Sequence, residues 1–286
     1  MDAQRDRTET LGELVQRFAA EQCDVIIEQW DALERRDADS VHPVRVAIRR
    51  LRATLRTFRR VYDREAGEAF AQELRWWGML LGGVRDLQVL AERFSTAEDP
   101  REPRGRAEVY LATQLERELE SAWRAVSEAL TTERATALKE AVVRWREDPP
   151  FSERAGRPAR RAGKRVKKAG RRVGKRLARV RAAVAANDPA AAELLHSARK
   201  AAKRHRYALE LAAPVLGPRT EEEIERRRDL QDALGAHQDA VVAAEFLVRL
   251  DLGGESPEVA FALGELTEAT RRQADDVRSP LDAAQE

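Results

Sequence analysis

A helix with one apolar face and one basic face is predicted for residues 42–58, which read HPVRVAIRRLRATLRTF. The apolar side chains recur every three or four residues, at Val44, Ile48, Leu51, Leu55 and Phe58. One position along, a basic stripe keeps the same spacing at His42, Arg45, Arg49, Arg52, Arg56 and Arg59. At about 100° per residue, the stripe lies roughly 110° around the helix from the apolar seam. We therefore predict a bundle helix, beginning at His42, that presents cationic groups along roughly 25 Å.

The basic stripe has no internal counter-charge. Residues 45–60 contain no Asp or Glu, so ion pairs between successive turns cannot neutralise the arginines. Guanidinium groups bind phosphate oxygens in bidentate fashion. The pattern favours binding of an external polyanion over a simply solvated face.

The same design recurs later in the chain. Residues 196–206 read HSARKAAKRHR and begin 154 residues after His42, which opens the first motif. A second landmark, LGGVRD at 81–86, is followed 153 residues later by LGAHQD at 234–239. Two landmarks in near-constant register indicate an internal duplication, with repeats at 1–150 and 151–286 divided near Pro149-Pro150. In the second copy the stripe is His196, Arg199, Lys203 and Arg206, and the seam is Ala198, Ala202, His205, Leu209 and Ala212. Glu210 stands where Arg56 stands in the first copy, so the second stripe is expected to be shorter.

A third basic segment lies between the two copies. Its apolar positions are Val166, Gly170, Val173, Leu177, Val180 and Val184, and nearly every other face is Lys or Arg. The net charge is only +2, although 36% of residues are charged, so a near-neutral total conceals a strongly polarised surface. The low aromatic content and sparse breaks, which include residues 98–103 and Gly217-Pro218, predict an all-α protein of long helices.

Composition also bears on location and on sulfur chemistry. We expect a cytoplasmic protein without a membrane association, because no apolar run approaches the length of a membrane span and Met1–Arg5 has no apolar signal core. A single cysteine, Cys23, excludes an internal disulfide and is expected to be buried.

Several residues with possible catalytic chemistry are better explained by structure. His205 falls on the second seam and is predicted to be a core histidine, whereas His237 is predicted to lie in a loop near a turn at Gly235. Asp86 and Asp239 are predicted to have structural roles, and Trp76-Trp77 to pack between helices. The ligand spacings of metal sites are absent from the sequence, so we predict no catalytic residue, metal or cofactor.

The two His-led basic helices, each followed by a Leu-Gly-x-x-x-Asp turn, resemble the CHAD domain, the conserved histidine α-helical domain, from roughly Thr10 to Gln273. The resemblance implies two pseudo-symmetric antiparallel four-helix bundles with basic helices lining a groove or pore. It implies binding of inorganic polyphosphate and association with polyphosphate granules. Some members carry a preceding CYTH domain, whose Glu-x-Glu-x-Lys signature is absent here, so a stand-alone form is expected. The residues that the resemblance places on the polymer are His42, Arg45, Arg49, Arg50, Arg52, Arg56, His196, Arg199, Lys200, Lys203, Arg204 and Arg206, with Lys164, Lys168, Arg171, Arg172 and Lys175 added from the central segment.

Two other functions stay open at this point. A nucleic-acid or other polyanion-binding protein would use the same stripes, although no aromatic residues interleave with them to stack bases. An enzyme acting on polyphosphate would need a carboxylate cluster for metal beside the basic residues, and the stripes contain none.

Overall fold

The computed structural model describes residues 9–95 and 102–276. Within them the chain is all-α, as predicted, and its two β-bridges, Thr10 with Pro158 and Tyr62 with Phe151, are isolated. Residues 1–8, which include the predicted leaderless N-terminus, and part of the predicted break at 98–103 lie outside the described residues. The helices are α1 Leu11–Glu28, α2 Trp30–Glu34, α3 Ala38–Thr57, α4 Arg64–Phe94, α5 Pro103–Leu130, α6 Glu133–Glu147, α7 Ala162–Ala185, α8 Ala191–Leu216, α9 Arg219–Val248 and α10 Pro257–Asp275.

Two compact units divide the chain. Unit 1 takes residues 1–82, 124–174 and 201–227, and unit 2 takes residues 83–123, 175–200 and 228–286, as far as these are described. Each unit combines segments from both predicted repeats. The repeat boundary at 150/151 is a statement about duplication of the sequence, and it stays a prediction.

Unit 1 is built around the first apolar seam. All five residues of the predicted seam are buried, from Val44 in α3 to Phe58, which directly follows the helix, and this confirms the predicted core face. Helix α1 packs against α3 and α6. Trp77, fully buried, stacks on Trp30 with ring centroids 5.4 Å apart, so the predicted packing role of this tryptophan is confirmed. Cys23 is buried here too, and burial raises the pKa of its thiol to about 12, so the thiolate is disfavoured.

Unit 2 has its own apolar core. Leu90 of α4, Leu111 and Leu115 of α5, and Phe246 of α9 belong to one buried cluster. A second cluster joins α5 to α10 through Ala107, Val259 and Leu263. Burial of these side chains on successive turns is the physical basis of helix association in this unit.

Helix starts differ from the predicted ones by about one turn. Helix α3 begins at Ala38 rather than His42, because Asp37 caps it by accepting a hydrogen bond from the backbone N–H of Asp39. Pro43 therefore lies inside the helix, near its N-terminus, where the lost N–H removes one intrahelical bond. Helix α8 likewise begins at Ala191, before His196. The predicted break near Gly217 is confirmed, since this residue ends α8 with φ of 84°, which glycine adopts without strain.

Candidate anion-binding surface

Helix α3 separates its two faces as the sequence predicts. To one side of the buried seam, Arg45, Arg49 and Arg52 are half-buried, and His42 and Arg56 are exposed. The arginine stems therefore pack along the helix while the row as a whole reaches solvent. Asp39 is the only acidic residue of the helix, so the row carries net positive charge along most of its length.

The repeated Leu-Gly motif is not a turn. Gly82 lies within α4 and Gly235 within α9, so the predicted turns at both places are wrong. At Gly82 the missing side chain leaves room for an arginine, because a Cβ there would lie 2.6 Å from Nη1 of Arg45. At Gly235 a Cβ would lie 3.7 Å from Nη2 of Arg199, an ordinary contact. In each copy the nearby arginine is the one three positions after the leading histidine.

The histidines have different environments. His196 is half-buried, and its Nδ1 forms a hydrogen bond with Oε1 of Gln238 in α9, whereas His42 is exposed. His205 is buried on the second seam, which confirms the predicted core histidine. His237 is also buried, inside α9, so its predicted loop position is wrong; burial lowers its pKa, with a smaller opposing effect from a hydrogen bond to the Ala274 backbone.

His205 belongs to a polar cluster inside unit 1. Nε of Arg227 donates to Nδ1 of His205 at 3.0 Å, and Nη2 of Arg227 pairs with Oε1 of Glu223 at 2.6 Å. Burial, followed by the positive charge of Arg227, lowers the pKa of His205 to about 4. The imidazole is therefore neutral at physiological pH, with Nδ1 as acceptor and the proton on Nε2.

Helix α8 provides a counter-charge that the sequence of α3 lacks. Oε2 of Glu210 lies 3.3 Å from Nη2 of Arg50, and Oε1 lies 3.6 Å from Nε of Arg206. Both guanidinium groups also face the ring of Tyr207, at 5.8 Å for Arg50 and 5.2 Å for Arg206. Glu210, which the sequence presents as a gap in the second stripe, thus holds one arginine from each copy.

Like charges crowd the C-terminal half of α3. Burial lowers the pKa of Arg52, and the neighbouring Arg75 and Arg56 lower it further. Arg75 was not among the predicted site residues, because it comes from α4 and nothing in its local sequence marks it. The repulsion among these guanidinium groups would be relieved by a bound anion.

The central segment has the predicted arrangement in α7. Val166, Val173, Leu177 and Val180 are buried. The predicted binding residues of this segment are all exposed: Lys164, Lys168, Arg171, Arg172 and Lys175. In α8, Lys200 is exposed, and Lys203 and Arg204 are half-buried.

A second group of arginines surrounds Arg165, and apart from Arg59 of the basic stripe its members were not among the predicted binding residues. Burial lowers the pKa of Arg165, and so do the charges of Arg60, Arg154, Arg59 and Arg157. These residues come from two segments about 100 residues apart, so no local motif unites them. The run of basic residues from Arg154 onwards is the one sequence feature that could have indicated the cluster.

Neither a candidate metal site nor a membrane-spanning helix is found in the parts of the chain that the structure describes. Asp86 is exposed and Asp239 half-buried. No group of three or more His, Cys, Asp or Glu side chains suited to a metal ion is found in residues 9–95 and 102–276. In the same ranges, no helix is both long and apolar enough to span a bilayer.

Comparison with known proteins agrees with this architecture. A family model described as the CHAD domain matches residues 17–248. The uncharacterized proteins MT2285 and Rv2226 of Mycobacterium tuberculosis are each 31% identical over 279 residues, which is 94% of this chain but 52% of theirs, so the chain spans about half of their length. The crystal structure of the CHAD domain from the plant Ricinus communis matches with a TM-score of 0.77 at 25% identity, over 98% of this chain and 92% of that one. PptA from Streptomyces chartreusis has the same fold, with a TM-score of 0.76 at 21% identity over 97% and 99% of the two chains.

Proposed function

This chain belongs to the CHAD domain family, and on that premise we propose that it binds inorganic polyphosphate through the basic face of α3, with contributions from α7 and α8. The observation that carries the proposal is the arginine row of α3, held by a buried seam and lacking carboxylates after Asp39. Regularly spaced guanidinium groups on a rigid helix match a polymer whose negative charges repeat along its length.

Pre-organisation supports this proposal. Arg45, Arg49 and Arg52 are half-buried against the helix surface, so little rotamer freedom remains to be lost when a phosphate binds. The like-charge repulsion around Arg52 also favours an anion, because a bound negative charge offsets it. Release of condensed counterions from the polymer would add to the affinity and make it depend on salt.

The direct test is calorimetric titration with long-chain polyphosphate at several salt concentrations. If about eight phosphates are neutralised, log affinity should fall with log salt with a slope of about −6. Changing Arg49, Arg52 and Arg56 to Ala (the stripe variant) should reduce the slope by about 2 and weaken binding at least tenfold.

A matched control removes the same charge elsewhere. Arg104, Arg144 and Arg272 are well exposed and each pairs with a glutamate one turn away, so their change to Ala (the control variant) alters net charge equally. Equal weakening by the stripe and control variants would overturn the proposed site. Comparable affinity for a single-stranded RNA of equal charge would instead favour a general polyanion-binding protein.

We also propose that binding does not entail turnover. The groups on the α3 face are cations and one exposed imidazole, which can hold phosphates and stabilise charge. Release of orthophosphate or shortening of the polymer by the purified protein, with and without Mg²⁺, would contradict this. By the same premise we propose association with cytoplasmic polyphosphate granules, which co-localisation in cells would test.

The internal duplication is part of the proposal. The helices α1, α3, α4 and α5 begin about 150 to 155 residues before α7, α8, α9 and α10, respectively. The crossing of Arg45 by Gly82 in unit 1 corresponds to the crossing of Arg199 by Gly235 in unit 2. An experimental structure in which the two helix sets superpose by a two-fold rotation would test it.

A further inference from the structure

A cleft of about 600 Å³ opens beside the C-terminal end of α3, within unit 1. Four of the side chains that line it are arginines and two are glutamates: Arg59, Arg60, Arg64, Arg154, Glu68 and Glu153. Its volume lies in the range of small-ligand sites. Apart from Arg59, which ends the basic stripe, none of these residues is among those considered for polymer binding above.

The cleft has a rigid frame. The hydroxyl of Ser152 donates to the carbonyl oxygen of Arg60 at 2.7 Å and accepts from the backbone N–H of Arg154 at 3.2 Å. Beside it, backbone hydrogen bonds join Ser152 N to Val61 O and Asp63 N to Pro150 O. The two turns that carry the arginines are therefore fastened to each other, so their guanidinium groups converge before any ligand arrives.

The charges in the cleft are poorly balanced. Arg64 pairs with Glu68 at 3.1 Å. Within the described parts of the chain, Arg59, Arg60 and Arg154 form no ion pair with a carboxylate. Arg165 and Arg157 add further positive charge nearby, as the lowered pKa of Arg165 reflects. A site that gathers several guanidinium groups in a preformed cleft suits a small ligand with several negative charges.

We propose that this cleft binds a linear oligophosphate of about three phosphate groups, as a discrete site beyond the stripe of α3. Three guanidinium groups without carboxylate partners can each take one phosphate in bidentate fashion, which sets the size of the ligand. The ligand class rests on the proposed polyphosphate function. Because Arg59 lies in the turn that directly follows α3, beside the end of the arginine row, the ligand is either a free oligophosphate or the terminal segment of a longer chain.

The test uses sodium tripolyphosphate as the probe, with the full chain and calorimetry at constant ionic strength. In the cleft variant, Arg59, Arg60 and Arg154 are changed to Ala. We expect one tripolyphosphate per wild-type chain, with Kd raised at least tenfold in the cleft variant and less than threefold in the stripe and control variants. Unchanged binding in the cleft variant, or an equal loss in the stripe variant, would overturn the proposed cleft site.

Two further measurements keep the test decisive. If the triple substitution perturbs folding, Arg154→Glu takes its place, because it changes only one half-exposed side chain. This variant should cause the same loss of tripolyphosphate binding. If the cleft takes chain ends, two molecules of the stripe variant should bind each molecule of long-chain polyphosphate, whatever the length of the polymer. Binding of tripolyphosphate alone would identify the free anion as the ligand.

These outcomes separate the two proposals. If tripolyphosphate binds in the cleft but the wild-type protein does not bind long-chain polyphosphate, the proposed polymer binding is wrong and the proposed cleft site is supported. If the stripe variant loses binding of long-chain polyphosphate but the cleft variant binds tripolyphosphate as tightly as wild type, only the proposed cleft site is wrong.

Discussion

Arg45 passes so close to the backbone of α4 that a Cβ on Gly82 would lie 2.6 Å from its Nη1 atom. The glycine thus accommodates the arginine and does not form a turn, since it lies inside a continuous helix. The corresponding pair in unit 2 is looser, because a Cβ on Gly235 would contact Nη2 of Arg199 at an ordinary 3.7 Å. The two copies of the motif therefore differ in how tightly the arginine is held.

Changing Gly82 to Ala should separate binding from stability. The guanidinium of Arg45 must move, and we expect Kd for long-chain polyphosphate to rise by about fivefold, equivalent to about 1 kcal/mol. The free energy of unfolding should stay level or rise by up to about 1 kcal/mol, since Ala favours helix over Gly and a flexible side chain can yield. Calorimetry and urea unfolding measure the two effects. Gly235→Ala is the matched control; a binding loss as large as that of Gly82→Ala would contradict the steric explanation.

Removing the carboxylate of Glu210 should destabilise unit 1 and strengthen polyanion binding. The side chains of Arg50 and Arg206 would be left near each other, half-buried and without this shared carboxylate. We expect Glu210→Gln to lower the free energy of unfolding by about 2 kcal/mol in urea titrations. Polyphosphate affinity should rise, because the carboxylate of Glu210 no longer competes with phosphate groups for the two guanidinium groups.

The control for this prediction is Glu140→Gln. Its partner Arg144 is a turn away and both side chains are about two-thirds exposed, so the loss should be below about 1 kcal/mol. A Glu210→Gln protein as stable as this control would show that the contact between α3 and α8 contributes little.

Stability should fall in mildly acidic solution because of His205. Its pKa is lowered to about 4 in the folded protein, from an ordinary value near 6.5. As the pH falls below 6.5, the unfolded chain therefore takes up a proton before the folded one. The stabilisation is complete above about pH 6.5 and is lost progressively towards pH 4.

Between pH 7 and pH 5 this loss should be about 2 kcal/mol, at about 1.4 kcal/mol per pKa unit. His205→Gln keeps an acceptor for Arg227 and should flatten the dependence in urea unfolding, whereas substitution of the exposed His42 should leave it unchanged. A pH profile identical in wild type and His205→Gln would refute the assignment.

A last pair of substitutions tests the frame of the cleft. A Cβ on Gly12 of α1 would lie 2.8 Å from Cβ and 3.3 Å from the carbonyl oxygen of Ala155, in the 3₁₀ turn Glu153–Gly156 that carries Arg154. Because that turn is fixed by hydrogen bonds, we expect Gly12→Ala to cost about 1 to 3 kcal/mol and to lower the melting temperature. For Gly174 of α7, no described atom lies within 4 Å of the added Cβ, so Gly174→Ala should stabilise by up to about 1 kcal/mol. Equal effects at the two positions would exclude the contact as the cause.

Much of the helical framework could be predicted from the sequence because it depends on short-range periodicity. The spacing of Val44, Ile48 and Leu51 predicted a buried seam, and the out-of-phase arginines predicted an accessible basic face; both are confirmed in α3. His205 was assigned to the core by the same spacing. Such patterns are set by about 3.6 residues per turn, whatever the helix packs against.

Interpretation of short sequence motifs was wrong where a feature depends on side chains of a neighbouring helix. Glycines usually indicate turns, yet Gly82 and Gly235 lie inside helices, and at Gly82 an arginine of α3 passes close to the backbone. His237 was misplaced for the same reason, since it was judged from the neighbouring Gly235.

The sequence by itself determined the all-α class, the apolar seams and the direction of the basic faces. Tertiary structure alone decided that Glu210 joins Arg50 to Arg206, and that Arg59 and Arg60 meet Arg154 around one cleft. Helical periodicity acts over a few residues, so it is determined by residues that are close together in the sequence. Ion pairs and clefts form between segments tens to hundreds of residues apart, and their partners are set by how whole helices pack to bury their apolar faces.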